Sequence, residues 1–508
     1  MSKHGFDVIV VGGGSAGCIL AARLSEEPDR TVLLVEAGSD VPDADSLPPA
    51  LQVRPATAVF ESDFMWTYPD TGLNPAVRGR ILGGSGGVNG AVFVRGIPED
   101  YNSWPLDQWR FAEVLPAFRR VEADLDFADR WHGSDGPIPI RRFRRPEWHP
   151  LQTALFDAAR ECGFPEKPDL NAPEGSGVGP LPRNDPDGLR MSAALGYLSP
   201  IRSRRPNLVV WAETVATRVL LERSRAIGVE VIRDGNRQTV LGGEVILSAG
   251  TIASPLLLMQ SGIGAQATLK ELDIDVGHDL PGVGENLRDH PVIWVAARCD
   301  DPARRPQRGE PMQVGLTCTA PGSASRCDIQ VLAGPEWNDN ARAGAPAGDL
   351  VLITSLEHPL SQGRIVPRRA NGELLPRLDF GFLQHPEDRD RLRYGVQLMI
   401  ELLESPAFGQ LAGVRVSPSD EDRRSDTTLD RWVAATVRAG QHACGTCRMG
   451  MSDDPRAVVG ATGSVHGLEG LRVADLSIVP DNVRANTNAT AMMVGERIAE
   501  LIQEEANA

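Results

Sequence analysis

The stretch FDVIVVGGGSAG, residues 6–17, decides the fold of the N-terminal part of this chain. Its first half is an apolar run, residues 8–11, of the kind that forms a parallel strand buried on both faces. Gly12, Gly14 and Gly17 then give the spacing G-x-G-x-x-G. The residues after this turn have helical spacing with one apolar face, so the stretch predicts a strand, a tight turn and a helix.

A second apolar run, residues 31–35, ends in Glu36, which lies 19 residues after Gly17. Strand, glycine turn, helix, strand and acid together form the unit that binds a dinucleotide. Gly12 allows the turn, Gly14 lets the backbone approach a pyrophosphate, and Gly17 lets the helix pack closely on the strand. The helix N-terminus holds the anion, and Glu36 is predicted to bond an adenosine ribose. The motif fits FAD and NAD equally.

The composition narrows the class of protein further. A chain of 508 residues is too long for one hydrophobic core, so two or more domains are expected. Apolar residues make up 41% and charged residues 24%, which is normal for a soluble globular protein. The net charge of −16 argues against nucleic acid or an anionic membrane as the main partner. Residues 245–269 carry no charge, but their proline, glycines and serines argue against a membrane span.

The N-terminus and the cysteines indicate a cytoplasmic protein. Asp7 and the glycines make the first apolar run a poor signal peptide. The seven cysteines are scattered and odd in number, which is typical of a reducing compartment. Cys444 and Cys447 have the C-x-x-C spacing but not the βαβ context of a redox dithiol. No cluster has zinc-ligand spacing, so no metal is predicted.

A second glycine-rich stretch follows in residues 78–96. Every residue from Gly83 to Gly87 is glycine or serine, which indicates backbone that lies against a flat or anionic group. Gly83-x-Ser85-x-Gly87 is also a formal match to the nucleophile elbow of serine hydrolases. The elbow requires a helix after the serine, whereas residues 92–95 are predicted to be extended. A hydrolase that uses Ser85 is therefore only an alternative interpretation.

Several motifs in this order resemble those of the glucose–methanol–choline (GMC) flavoprotein oxidoreductases. The first family signature is similar to GRILGGSGGVNGAVFVRG, residues 79–96, and the second to GTIASPLLLMQSGIG, residues 250–264. The remaining family segments are similar to residues 207–231, to LPGVGENLRDHP at 280–291, to HACGTCRMG at 442–450 and to residues 471–502. The resemblance covers the whole chain.

The resemblance implies an α/β fold, α+β overall. In this fold a Rossmann-like, doubly wound FAD-binding domain is interleaved with a substrate domain on an antiparallel or mixed sheet. The predicted segments are the FAD-binding domain at 1–145, 192–295 and 436–508, a connecting segment at 146–191, and the substrate domain at 296–435. Within the substrate domain, strands are predicted at 328–332, 349–355 and 378–382 and a helix at 386–403. Residues 131–142 resemble a family loop near the flavin.

The resemblance also implies the cofactor and its contacts. The cofactor is FAD, and it is non-covalent because Val88 occupies the place where some members carry a histidine linked to the flavin. Gly86 is a second departure, since many members have serine there. The predicted FAD contacts are Gly12, Gly14, Ser15, Ala16, Gly17, Glu36, Ala37, Gly83, Gly84, Asn89, Gly90, Ala91, Val92, Val215, Ala249, Asp475, Asn486 and Thr487.

Two residues near the C-terminus are predicted to carry the chemistry. In the family, a histidine at the position of His442 pairs with histidine or asparagine at the position of Asn486. His442 would take the hydroxyl proton of an alcohol, since imidazole has a pKa near about 6.5. Asn486 would orient the substrate oxygen, although asparagine is also a common helix cap. His290 is predicted to have only a structural role.

The predicted function is oxidation of a primary or secondary alcohol to an aldehyde or ketone, with hydride transfer to flavin N5. The partners are a small-molecule alcohol and an electron acceptor, either oxygen or another carrier. The segment GGSGGVNG, residues 83–90, also shows a faint resemblance to mycofactocin-linked dehydrogenases, which pass electrons to a carrier rather than to oxygen. An NAD-dependent dehydrogenase, a flavin-containing lyase of the same fold and the hydrolase with Ser85 remain as alternatives.

Overall fold

The computed structural model describes residues 5–52, 63–68, 75–299, 305–306, 310–335, 349–370, 373–409 and 411–507. The strands are β1 Phe6–Val11, β2 Val32–Val35, β3 Met65–Tyr68, β4 Ala76–Gly79, β5 Glu122–Asp124, β6 Ile138–Ile140, β7 Gly177–Pro180, β8 Leu208–Trp211, β9 Thr214–Glu222, β10 Arg225–Arg233, β11 Asn236–Leu247, β12 Ile263–Gly264, β13 His278–Asp279, β14 Pro291–Cys299, β15 Val314–Cys318, β16 Ile329–Pro335, β17 Leu350–Leu356, β18 Arg364–Ala370, β19 Glu373–Asp379, β20 Ala412–Ser417, β21 Arg438–Ala439 and β22 Leu471–Val473. The helices are α1 Ser15–Leu24, α2 Pro49–Gln52, α3 Pro98–Asn102, α4 Phe111–Val121, α5 Pro150–Glu161, α6 Gly250–Gln260, α7 Gln266–Glu271, α8 Pro386–Glu404, α9 Asp426–Thr436 and α10 Asn488–Asn507.

The first large sheet is built on the N-terminal βαβ unit. Its parallel part has the order β8-β2-β1-β11-β22, and β10 and β9 continue it in antiparallel fashion from β11. Every residue of β2 and the last four residues of β1 are buried, as expected for parallel strands covered on both faces. The predicted Rossmann-like fold is confirmed.

Strand β11 links two parts of this sheet. Its first half pairs antiparallel with β10, whereas residues 242–247 pair in parallel with β1. Residues 242–247 therefore return the chain to the first sheet. The chain then turns directly into α6, which places the second glycine-containing signature at the carboxyl edge of the sheet, where ligands of open α/β sheets bind.

The second large sheet is antiparallel, with the order β20-β14-β17-β16-β15-β7 and β21 added beside β14. Its side chains alternate between two faces, as the pleat requires. One face, which includes Ile293, Val331 and Leu352, joins the apolar core formed with α5, α8 and α9. The other face turns toward the first sheet and is described with the site.

The helix and strands predicted for the substrate domain are present, and one strand lies at a shifted position. Helix α8 and strands β16 and β17 lie within a few residues of their predicted positions. The strand predicted at 378–382 is instead Glu373–Asp379, which forms a separate hairpin with β18. Beyond the end of this strand, the rings of Phe380 and Phe382 stack on each other. These apolar residues extend the apolar pattern past Asp379, which explains why the strand was predicted too late in the sequence.

The five-segment division of the chain stays a prediction, but sheet membership bears on it. Strand β14 begins at Pro291, ahead of the predicted boundary at 296, and β7 comes from the connecting segment. Within the described ranges, each helix is too short or too polar to traverse a bilayer.

Candidate active site

The first glycine turn has the geometry that its spacing predicts. Gly12 has a φ of +105°, and a Cβ there would lie 2.4 Å from the Ser248 carbonyl oxygen. A Cβ on Gly17 would lie 1.9 Å from the Gly12 oxygen, so this glycine is needed for close packing of α1 on β1. A Cβ on Gly14 would meet no atom within 4 Å, and Gly14 lines a large cavity. The turn therefore leaves its backbone open to a ligand at Gly14.

The acid at the end of β2 lies at the same cavity. Glu36 accepts hydrogen bonds from the backbone N–H groups of Gly13 and Gly38, each at 2.7 Å. Burial raises the pKa of Glu36 to about 7, although these backbone donors oppose the shift. The carboxyl group is thus fixed by the turn that it faces, at the position where the sequence predicts ribose recognition.

The cavity, about 1810 Å³ in volume, runs from this turn to the second sheet. It is large enough for a dinucleotide together with a small substrate. The predicted site residues that line it are Gly12, Gly14, Ser15, Ala16, Glu36, Ala37, Gly84, Asn89, Gly90, Ala91, Val92, Val215, Ala249, His442, Asn486 and Thr487. The structure therefore brings residues from the whole length of the chain to one cavity.

Three predicted contacts do not line the cavity and hold its walls instead. Gly17 packs α1 on the glycine turn, as described above. Gly83 has a φ of +99°, and its N–H donates to the Gly13 oxygen at 2.7 Å. Asp475 is buried and accepts from the Gly250 N–H at 2.9 Å and the Ser254 hydroxyl at 2.6 Å. Residues 131–142, all within the described ranges, also lie outside the cavity lining, and their expected place near the flavin stays a prediction.

The second glycine-rich stretch lies directly over the first. A short 3₁₀ turn, Gly84–Gly87, follows Gly83, and a Cβ on Gly86 would lie 2.5 Å from the Ser15 hydroxyl oxygen. That hydroxyl donates to the Asn488 side-chain oxygen at 2.8 Å. A serine at position 86 would displace this hydrogen bond, which accounts for glycine in this chain.

Ser85 lacks the environment of a hydrolase nucleophile. It lies in the 3₁₀ turn, with neither a strand directly before it nor an α-helix directly after it. Its hydroxyl oxygen accepts from the Gly79 N–H at 3.1 Å. The nucleophile-elbow interpretation is therefore not supported by the local fold.

His442 and Asn486 are in contact in the same cavity. The Asn486 side-chain nitrogen lies 3.1 Å from His442 Nε2. Helix α10 begins two residues later, at Asn488, so Asn486 precedes the helix rather than capping it. Burial lowers the pKa of His442 well below its usual value, and the nearby His290 and Arg78 add to this effect. His442 is therefore neutral at physiological pH.

Behind His442 lies His290, whose contact with it was not predicted from the sequence. The two Nδ1 atoms are 2.9 Å apart, and His290 is completely buried. Asp289 Oδ1 accepts from the backbone N–H groups of both histidines, at 2.7 and 2.8 Å. The sequence feature that could have indicated this contact is the pair Asp289-His290 in the segment 280–291, which was predicted to have only a structural role.

The second sheet forms the wall opposite the first glycine turn. Strand register places its cavity-facing residues in two rows. One row is formed by Val292, Ser355 and Gln330, and the next by Trp294, Ile353 and Leu332. The first row lies at the end of β14 next to His290, and the second row is apolar. This wall was predicted as a sheet, but its individual residues were not.

Two features of the cavity match the needs of a bound FAD: an open backbone cradle and buried polar side chains without partners. Gly14 leaves an open backbone cradle where the pyrophosphate is expected. Three cavity-lining side chains carry a buried polar atom that has no hydrogen-bond partner within the described part of the chain: Asn486 Oδ1, Asn488 Nδ2 and Arg78 Nη2. Buried polar atoms of this kind require partners, which a polar ligand would supply.

A Rossmann-like sheet, an open glycine cradle and a histidine–asparagine pair in one cavity define a dinucleotide-binding oxidoreductase. Comparison with known proteins narrows the class. The GMC oxidoreductase family matches residues 6–292 and 359–495, and the chain belongs to this family. It is therefore an FAD-dependent oxidoreductase that acts on CH–OH donors.

Several relatives cover nearly the whole chain. An uncharacterized GMC-type oxidoreductase of Rhodococcus erythropolis is 36% identical over 98% of both chains. An oxygen-dependent choline dehydrogenase of Photobacterium profundum is 34% identical over 98% of this chain and 93% of its own length. The crystal structure of pyridoxine 4-oxidase from Mesorbium loti has a TM-score of 0.89 and 30% identity, over 98% of this chain and 99% of its own.

Proposed function

We propose that this protein oxidises a primary or secondary alcohol to an aldehyde or ketone, with His442 as the base. The observation that carries the proposal is the His442–Asn486 pair, 3.1 Å apart, in the cavity that also holds the open glycine turn. Relatives named for choline and pyridoxine, which are both alcohols, support the substrate class.

Each group in the cavity has a separate role in the proposed reaction. FAD, when bound, supplies the acceptor for the hydride that leaves the alcohol carbon. His442 Nε2 receives the hydroxyl proton, which it can do because burial keeps the imidazole neutral. The Asn486 amide orients the substrate oxygen without titrating. Val292, Trp294 and Ile353 exclude water from the substrate and limit its size.

The helix after the pair adds an electrostatic contribution. Thr487, Asn488 and Ala491 line the cavity, so the N-terminal turn of α10 is part of its wall. The positive end of a helix dipole stabilises negative charge that develops nearby. We therefore propose that the N-terminus of α10 would stabilise the negative charge that bound FAD gains when it accepts the hydride.

We further propose that the FAD is held without a covalent bond. Val88 lines the cavity with a side chain that has no nucleophilic atom, and it packs among Val41, Ile81 and Leu195. We also propose that the protein works in the cytoplasm, because its seven cysteines are all free.

The test is a spectrum of the purified protein followed by anaerobic addition of choline, aryl, furanic, sugar and alkyl alcohols. An oxidised-flavin spectrum that one alcohol class bleaches supports the proposal and identifies the class. Admission of air then distinguishes oxygen from another acceptor by the rate at which the colour returns. A flavin spectrum that no alcohol in the panel bleaches would contradict alcohol oxidation and favour a lyase.

A further inference from the structure

His290 stands between His442 and a backbone carbonyl, and this position determines where its protons lie. His290 Nε2 is 3.0 Å from the carbonyl oxygen of Val483. A carbonyl oxygen only accepts hydrogen bonds, so Nε2 of His290 must carry a proton. A neutral His290 then has no proton on Nδ1, and that atom can only accept.

The same reasoning continues to His442. The two Nδ1 atoms are 2.9 Å apart, which is hydrogen-bond distance. Because His290 Nδ1 can only accept, the proton in this bond belongs to His442 Nδ1. A neutral His442 with a proton on Nδ1 has a lone pair on Nε2, and Nε2 is the atom that faces Asn486 in the cavity.

We propose that His290 is a positioning residue that holds His442 in the Nδ1–H tautomer, so that the basic Nε2 atom faces the substrate. The inference rests on the proposed role of His442 as the base. When Nε2 accepts the substrate proton, the imidazolium keeps its Nδ1–H bond to the lone pair of His290. No proton needs to leave the pair during the step, and the hydrogen bond strengthens as the charge develops.

The surroundings of His290 support this single arrangement. Its ring is completely buried, so no solvent competes for Nδ1. Asp289 holds the backbone of both histidines through one carboxylate oxygen. Burial also lowers the pKa of His290 to about 4, although Asp289 opposes the shift, so the ring is neutral at physiological pH.

One buried carboxyl group could compete for the proton on this ring. Glu357 Oε2 lies 3.5 Å from His290 Nδ1. An ionised Glu357 would attract a proton to Nδ1 and reverse both tautomers. Burial raises the pKa of Glu357 to about 8, so the carboxyl group is protonated at pH 7 and does not impose that arrangement.

A matched pair of substitutions isolates the acceptor at Nδ1. In His290→Asn the side-chain oxygen occupies nearly the position of Nδ1 and can accept from His442. In His290→Leu a methyl group of similar shape occupies that position and cannot accept. Both variants lose the hydrogen bond to Val483 equally, so their difference reports on the tautomer rather than on packing.

The kinetic test measures anaerobic flavin reduction by the best alcohol, with bound FAD as the folding control. We expect His290→Leu to slow reduction by ~10–10²-fold at saturating alcohol, less than the ~10⁴ that a wrong tautomer costs where a carboxylate orients the base. We expect His290→Asn to recover most of this loss, with little change in KM for either variant. Equal rates in the two variants would overturn the proposal.

A second readout does not depend on activity. Long-range ¹H–¹⁵N spectra of protein with ¹⁵N-labelled histidine rings report which ring nitrogen carries the proton, and His442→Asn and His290→Asn assign the two rings by loss of signal. We expect a proton on Nδ1 of His442 and on Nε2 of His290 at pH 7. A proton on Nε2 of neutral His442 would overturn the inference. If no alcohol bleaches the wild type, the proposed function fails, whereas these spectra still decide the tautomer.

Discussion

Two histidines deep in this protein have opposite surroundings. His442 faces the cavity among a second histidine, an amide and the guanidinium of Arg78. His132 lies outside the cavity lining, among three carboxylates. Its Nδ1 is 2.9 Å from Asp124 and 3.3 Å from Glu122, and its Nε2 is 3.0 Å from Asp169.

Burial lowers the pKa of both imidazole rings, but the neighbouring groups shift the two pKa values in opposite directions. Burial alone would lower the pKa of His132, yet the hydrogen bonds to the carboxylates raise it to about 10. Burial also lowers the pKa of His442, and its neighbours reinforce that shift. His132 is therefore an imidazolium at neutral pH, and His442 is neutral.

The difference shows what prepares a histidine to act as a base. The three carboxylates around His132 keep its ring charged, so this ring cannot accept a proton at neutral pH. Among the described residues, Glu122, Asp124 and His132 also form the one group that has the spacing to hold a metal ion. Arg142 bonds Asp124 and Asp169 at 2.9 and 2.7 Å, which makes the group an ion-pair cluster instead.

The largest expected effect that tests the comparison of His442 with His132 is on the rate of flavin reduction. We expect His442→Ala to slow anaerobic flavin reduction by ~10²–10⁴-fold, because the substrate proton then has no positioned acceptor. FAD should remain bound, since the substitution leaves the glycine turn of residues 12–17 unchanged. Stopped-flow absorbance measures the rate, and the flavin spectrum measures occupancy.

The control for this variant is His278→Gln, which changes a histidine outside the cavity lining. It should reduce at the wild-type rate. An unchanged rate of flavin reduction in His442→Ala would show that His442 is not the base. The two histidines would then differ in charge but not in catalytic role.

The next effect is on stability. We expect His132→Ala to lower the free energy of unfolding by ~3–5 kcal/mol, because it leaves buried carboxylates without one of their cations. Denaturant unfolding followed by fluorescence measures the loss. The rate of flavin reduction in the folded fraction should stay at the wild-type value. A large change in rate with normal stability would mean that His132 belongs to the active site.

The charge of His132 also predicts a pH dependence. Its pKa is about 10 in the folded protein and about 6.5 when unfolded, so its contribution is fully present below pH 6.5 and is lost as the pH rises through 10. We expect unfolding free energies of the wild type to fall by on the order of 2–3 kcal/mol more than those of His132→Gln across this interval. Parallel curves would show that His132 is not charged in the folded state.

The smallest effect concerns Glu357, beside the histidine pair. Its pKa is raised to about 8, so its contribution to stability is present below about pH 4.5 and is lost as the pH rises through 8. Glu357→Gln removes this titration, and we expect it to gain on the order of 1–2 kcal/mol relative to the wild type between pH 5 and pH 8. Chemical unfolding at the two pH values gives the difference. No relative gain would mean that Glu357 is ionised, which would also weaken the tautomer argument.

The sequence predicted the cofactor half of this molecule well because local rules govern it. The spacing of Gly12, Gly14 and Gly17 predicts a backbone shape, and that shape needs few long-range contacts to form. Gly17 and Asp475 show the limit of this reasoning. Both were predicted to contact FAD, but neither lines the cavity: Gly17 packs against the glycine turn and Asp475 bonds the start of α6. Motif membership alone does not distinguish a residue that lines the cavity from one that supports its wall.

The histidine clusters could not be predicted in the same way. His290 and His442 are 152 positions apart, and His132 and Asp169 are 37 apart, with no periodicity to connect them. Their contacts arise from the packing of two sheets, which the pattern of apolar residues does not specify in detail. The charge of a buried histidine depends on such contacts, so it could not be obtained from the sequence.

Helix α10 has a consequence for how the protein is made. It holds α1 through the Ser15–Asn488 hydrogen bond and through Glu496, which bonds Arg23 at 3.0 Å and Tyr197 at 2.6 Å. Helices α1 and α10, which the Ser15–Asn488 hydrogen bond joins across 473 positions, thus line the same cavity. A ribosome must therefore synthesise the chain as far as α10 before this cavity can be complete. A nascent chain released before Asn488 would carry the complete glycine turn and still lack the helix that secures it.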